Sequence, residues 1–186
     1  MSTQSIQIQK NLNPTPSQPA MFAPRAVVAN AGDTITWHNA DQQDHWPAPS
    51  ASNPKGWIQF QIPPGGESRG DVALASNSVA VTAATNANPL VLTLNGAAPA
   101  TGTPVTIAYA APKTPAQPAS AWAVVKGPFV ATNRGPNSCS IPLDSSGLGP
   151  FSPAAGTLTV ALPYTLSYVC ALHPAETGTI AVNPQP

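Results

Sequence analysis

The sequence predicts an all-β protein, and three observations carry the prediction. Val, Thr, Ile and Ala recur in short runs, 24 prolines and 13 glycines break those runs apart, and several runs alternate apolar with polar residues. Branched residues suit a pleated surface, period-two alternation buries one face of a strand, and Pro and Gly end strands in turns. A chain of 186 residues suffices for one domain with a sizeable core, or for one domain carrying a large insertion. Only 8% of residues are charged, and seven Lys plus Arg balance seven Asp plus Glu. That balance offers nothing to attract nucleic acid or an anionic membrane surface. No apolar run reaches the ~20 residues of a membrane-spanning helix.

Taken in order, "AGDTITWHN" is a turn followed by a strand whose parity puts Ile35, Trp37 and Asn39 on one face, the core face, and Thr34, Thr36 and His38 on the other. "DQQDHWPAPS" breaks that strand with a polar loop and two prolines. "GWIQFQIPPGGESRGDVAL" reads as two strands, one around Trp57 and Ile58 and one resuming at Val72 and Leu74, with a turn at Pro63 to Gly66. Near the far end, "PYTLSYVC" places Tyr164, Leu166, Tyr168 and Cys170 on one face, so the sulfur emerges inward from the end of a strand. "GTIAV" supplies a last strand with Ile180 and Val182 inward. Between these halves, residues from about 75 to 155 are rich in Ala, Thr, Pro and Asn and contain no histidine. Four stretches there, "SVAVTAAT", "PLVLTLNG", "TPVTIAYAAP" and "AWAVVKGPFVATN", read as strands, and "APKTPAQPAS" as a Pro-rich exposed connection.

Chemistry concentrates in "SYVCALHPAETGTIAV", where Cys170, His173 and Glu176 fall within seven positions. His45 lies in the loop after the Trp37 strand. One thiolate and two imidazoles with a weaker axial group form the ligand field of mononuclear blue-copper sites. The residues alone leave other readings open. Cys170 and Cys139 can pair as a disulfide in an oxidising compartment, His45 can be a solvated loop residue, and Glu176 a solvated turn residue. His38, by its parity with Thr34 and Thr36, is a surface residue.

"GDTITWHNADQQDH", followed much later by "YTLSYVCALHPAETGTIAV", resembles the two copper-binding segments of the cupredoxins, closest to the amicyanin- and plastocyanin-like members. The resemblance covers roughly residues 20 to 75 and 160 to 184, in order, spacing and strand context. It implies a single Greek-key β-sandwich over residues 1 to 186, with the segment at about 75 to 155 inserted between two of its strands. It implies one copper ion cycling between Cu(I) and Cu(II) on His45, Cys170 and His173, with Asn39 supporting the ligands near the Cys loop. Cys139 is then a free buried thiol, because a disulfide to Cys170 would destroy the site.

Two departures from the family pattern stand out. Glu176 occupies the place of the axial Met, and the only methionines are Met1 and Met21. Trp46 follows the first ligand His where a small polar residue is common. The implied function is electron transfer rather than catalysis, with an unidentified redox protein docking near His173. With a carboxylate ligand, the alternative is a red-copper-like protein that binds a small ligand or handles copper. A third reading is a metal-free β-sandwich interaction module. "MSTQSIQIQK" contains neither an apolar core nor a cleavage site. Proteins of this kind acquire copper outside the cytosol, so the expectation is a periplasmic or secreted protein whose signal peptide was replaced by Met.

Overall fold

The computed structural model describes residues 2–50, 61–68, 72–111 and 121–185. The strand expected around Trp57 and Ile58 lies outside them, as does the Pro-rich connection beyond Ala111. Strands dominate the described residues and helix is confined to two short 3-10 turns, so the class is all-β. In chain order the strands are β1 Thr3–Thr15, β2 Gln18–Ala23, β3 Ala26–Asn30, β4 Thr34–Asn39, β5 Pro47–Pro49, β6 Val72–Ala73, β7 Asn77–Ala84, β8 Leu90–Leu94, β9 Pro104–Ala110, β10 Phe129–Val130, β11 Thr132–Gly135, β12 Ser138–Ile141, β13 Thr157–Leu162, β14 Tyr164–Cys170 and β15 Thr177–Asn183. The chain divides into two compact units, Met1–Ala75 with Tyr164–Asn183, and Ser76–Pro163 with Pro184–Pro186.

The first unit is a sandwich of two four-stranded sheets, ordered β2-β1-β4-β6 and β3-β15-β14-β5. Their inner faces share one core, in which Ile6, Ile8, Ile35 and Trp37 of one sheet meet Leu166, Tyr168, Ile180 and Val182 of the other. β4 alternates as its sequence dictates, with Ile35, Trp37 and Asn39 buried and Thr34, Thr36 and His38 half-exposed. β1 runs parallel to β4 and sets Ile6 beside Trp37 and Ile8 beside Asn39. Aromatic packing joins the sheets edge to face, Tyr168 lying 4.8 Å from Phe22 and 5.6 Å from Trp37 between ring centroids. This fixes the strand that ends at Cys170.

The second unit is a seven-stranded sheet, ordered β10-β9-β13-β7-β8-β12-β11, with its own core built on Leu90, Leu92, Val105, Ile107, Trp122, Leu158 and Val160. Cys139 is buried in that core, and burial pushes its thiol pKa up. Three of the four stretches expected as strands form β7, β8 and β9. The fourth differs: "AWAVVKGPFVATN" makes a 3-10 turn at Ala121–Val124, then the short strands β10 and the start of β11. Gly127 adopts a positive φ of 104° before Pro128, and neither residue continues a central strand. The turn buries Trp122 against Phe151, 5.7 Å between centroids.

Asp33 stitches the turn that delivers β4. Its Oδ1 accepts from the Ser2 N–H at 2.6 Å and its Oδ2 from the Asn30 N–H at 3.0 Å. These backbone donors at Ser2 and Asn30 hold its carboxyl below the usual carboxylate range. A depressed folded pKa stabilises above the unfolded value of about 3.9 and loses that contribution as pH falls through the folded value. Asp33→Asn should therefore lower the melting temperature at pH 7. The gap to the parent should hold down to about pH 4 and close below it; thermal melts across pH 2 to 7 decide, and a gap that persists at pH 2 contradicts the linkage.

Candidate metal centre

Two pieces of chain build the site. β14 carries Cys170 to its end, and residues 171–176 turn back into β15. Within that turn the His173 N–H donates to the Cys170 carbonyl at 3.1 Å, the Glu176 N–H to the His173 carbonyl at 2.9 Å, and the Cys170 N–H to the Glu176 carbonyl at 2.9 Å. Gly178 follows because its Cα faces the Tyr168 ring, which a Cβ would strike. The loop after β4 brings the other ligand. His45 pairs with Ile62 through two backbone bonds of 3.1 and 2.7 Å, and Trp46 then docks on the Cys turn. The Trp46 carbonyl accepts from the Ala171 N–H at 2.8 Å, and the Trp46 N–H donates to Cys170 Sγ at 3.3 Å.

Four donor atoms converge, one each from His45, Cys170, His173 and Glu176, all within 4.8 Å of one another. Cys170 Sγ lies 3.7 Å from His45 Nδ1 and 3.5 Å from His173 Nδ1, and the two nitrogens are 3.3 Å apart. Metal–ligand bonds of ~2.0–2.3 Å place neighbouring donors of a tetrahedral site roughly 3.3–3.8 Å apart. The three separations fall in that range, so the donors are spaced for a shared ion. Glu176 completes the group, with Oε2 at 2.9 Å from His45 Nδ1 and Oε1 at 3.7 Å from His173 Nδ1. Cys170, His45 and Glu176 are fully buried, and His173 is 14% exposed at the rim.

His45 sits between two carboxylates: Glu176 on Nδ1, and Asp41 Oδ2 at 3.1 Å from Nε2. Burial disfavours its charge, but hydrogen bonds with Cys170, Glu176 and Asp41 outweigh burial and lift its pKa to about 10. In the metal-free protein the ring is thus an imidazolium, and a metal must displace the Nδ1 proton. Asp41 is itself held ionised. Burial pushes its carboxyl up, but bonds from His45 and the backbone of Gln42 and Gln43 bring it below the usual range. Glu176 Oε1 accepts from the Ala20 N–H at 2.9 Å, a backbone donor on the outermost strand β2. That bond fixes one carboxylate oxygen and leaves the other toward His45.

The structure brings together His45, Cys170, His173 and Glu176. Glu176 is not a solvated turn residue, and both cysteines are free. His38 stands apart, 3.6 Å from Glu67. Asn39 serves the His45 loop, its amide donating to the Gln43 and Ile62 carbonyls at 2.7 and 2.9 Å and its Oδ1 accepting from the Asp41 N–H. That departs from the expected place beside the Cys loop: the end of β4 lies under the His45 loop. Trp46 contributes through its backbone N–H, which any residue but Pro would supply. Two residues escaped the sequence reading. Asp41 was discoverable only as a carboxylate four positions before a ligand His, and Ala20 gave no signal. The chain matches no protein-family model and no curated protein.

A bound ion stabilises the folded state by mass action, about 2.7 kcal/mol at a concentration 100-fold above Kd. For a unit of this size that corresponds to roughly 10 °C or more in Tm. Zn(II) or Cu(II) should raise the melting temperature and EDTA should reverse the rise. His173→Gln, at the rim, should fold as the parent does and lose most of the metal-induced increase in calorimetry; an undiminished increase removes His173 from the ligand set.

Proposed function

We propose that the protein is a cupredoxin-like electron carrier with one copper ion on His45, Cys170 and His173 and a carboxylate donor from Glu176. The observation that supports this reading most is the mutual spacing of one sulfur and two Nδ1 atoms, 3.3 to 3.7 Å, on rigid backbone. A thiolate and two imidazoles suit both Cu(I) and Cu(II), and a scaffold that holds them fixed keeps the ligand rearrangement between the two states small. When bound, copper supplies the one-electron couple. The chain's part is to hold the donors, donate the Trp46 N–H to the thiolate, and bury three of the four ligands from water.

The Glu176 carboxylate shifts the balance toward the oxidised ion. A buried anionic oxygen favours Cu(II) over Cu(I), so the potential should lie below that of a thioether-ligated site. The same hard donor supports a second reading, a red-copper-like centre that binds a small ligand or handles copper. Exposed Trp46 and Leu172, next in sequence to His45 and His173, offer apolar surface for a redox partner. Weak redox encounters use small interfaces of this kind. We place such a carrier in the periplasm or outside the cell, where it would load copper without competing with cytosolic thiols. No helix among the described residues is long and apolar enough to cross a membrane.

Absorption and EPR spectra after addition of Cu(II) test the reading. Cys170→Ser should abolish the thiolate-to-copper charge-transfer band, and Cys139→Ser should leave it intact; the reverse pattern, or no band in the parent, overturns the assignment. Glu176→Met should raise the reduction potential and shift the spectrum toward intense blue, with Glu176→Gln between the two. If Glu176→Met matches the parent in both colour and potential, the carboxylate does not ligate copper.

A further inference from the structure

Asp41 is a buried carboxylate that the ligand set does not use. Only 8% of it is exposed, and its Oδ2 contacts the one ring nitrogen of His45 that faces away from the other donors. Burying a carboxylate is costly unless it is paired, and here its partner is His45. The loop is built to hold it. Asn39 Oδ1 accepts from the Asp41 N–H at 3.0 Å, and the Asn39 amide closes the loop onto the Gln43 carbonyl at 2.7 Å. The charge is thus kept in place against His45 Nε2, on the far side of the ring from the metal position.

We propose that Asp41 is a positioning residue that acts through His45. It keeps the proton on Nε2, leaves Nδ1 as the metal donor, and makes that nitrogen a stronger donor to a dipositive ion than to a monopositive one. Outer carboxylates on metal-bound imidazoles act in this way, and their loss costs 10- to 100-fold in metal affinity. The consequence is selective: Asp41 tightens Cu(II) more than Cu(I), and it adds to the effect of Glu176 from a separate place on the ring. The inference rests on the metal-site reading above, and its copper consequence on the copper assignment.

The test is Asp41→Asn, which keeps an oxygen acceptor for Nε2–H and removes the charge. Competition titrations on the full chain should show Zn(II) and Cu(II) affinities falling at least 10-fold, with Cu(I) affinity falling less. A 10-fold change in the Cu(II)-to-Cu(I) ratio raises the potential by about 59 mV. Equal losses for Cu(II) and Cu(I) would mean that Asp41 only shapes the loop, and would overturn the proposal. If the parent shows no charge-transfer band with copper, the electron-transfer reading falls, whereas unchanged Zn(II) affinity in Asp41→Asn overturns the present proposal. A parent that binds neither ion overturns both. Should Asp41→Asn fail to fold, nitrogen NMR of the Zn(II)-loaded parent decides: a His45 Nε2–H coupled across a hydrogen bond to the Asp41 carboxylate and protected from solvent exchange supports the proposal, and an Nε2–H that exchanges freely with no such bond overturns it.

Discussion

The bond between His45 Nδ1 and Glu176 Oε2 spans 131 positions of sequence and lies wholly out of solvent. A buried imidazole and a buried carboxylate each carry a desolvation cost that their pairing helps to offset, together with Asp41 on His45 and the Ala20 N–H on Glu176. The rest of the site follows from that pairing. Trp46, adjacent to His45, can reach Cys170 only where His45 meets the Cys turn, and β5 can pair with β14 only from the same position. Ala20 completes the arrangement from the opposite sheet, spending the free N–H of an outer strand on the carboxylate. The candidate metal centre is therefore a point at which the two sheets of the first unit are tied by a polar bond, Ala20 N–H to Glu176, as well as by packing.

Charge is arranged around His45 in opposition to burial. Three groups able to be anionic, Cys170, Glu176 and Asp41, surround two imidazoles in a pocket closed to water except at His173. Without an ion, the proton on Nδ1 stands in for part of the positive charge. A carboxylate as fourth donor sets this group apart from one completed by a neutral thioether.

Much of this was legible in the sequence because it was local. "YTLSYVCALH" fixes strand parity, the inward sulfur and the first two donors within ten residues, and "TITWHN" does the same for the strand leading to His45. The burial of Glu176 was not legible, since a turn glutamate is buried or solvated according to what lies across from it, here the Ala20 amide. The N-terminal strands were missed although "SIQIQ" alternates, because only Ile6 and Ile8 carry the apolar phase among polar neighbours. "WPAPS" read as a loop. It forms β5 because that strand ends its sheet, where a proline without an N–H leaves no partner unsatisfied. "AWAVV" has strand composition, yet the need to bury Trp122 and the Gly127–Pro128 break made it a turn.

The first unit is assembled from both sides of an 88-residue segment, Ser76–Pro163, that has its own core. On a growing polypeptide this segment is complete before Cys170 is synthesised, and units with their own core fold as they emerge. Six strands of the first unit must wait through that interval with one sheet lacking β14 and β15. His45 alone can offer at most a weak, single-nitrogen hold on an ion during this time. The candidate donor set is therefore incomplete until the last strands are made, because Cys170, His173 and Glu176 all follow Pro163 and only His45 precedes the segment.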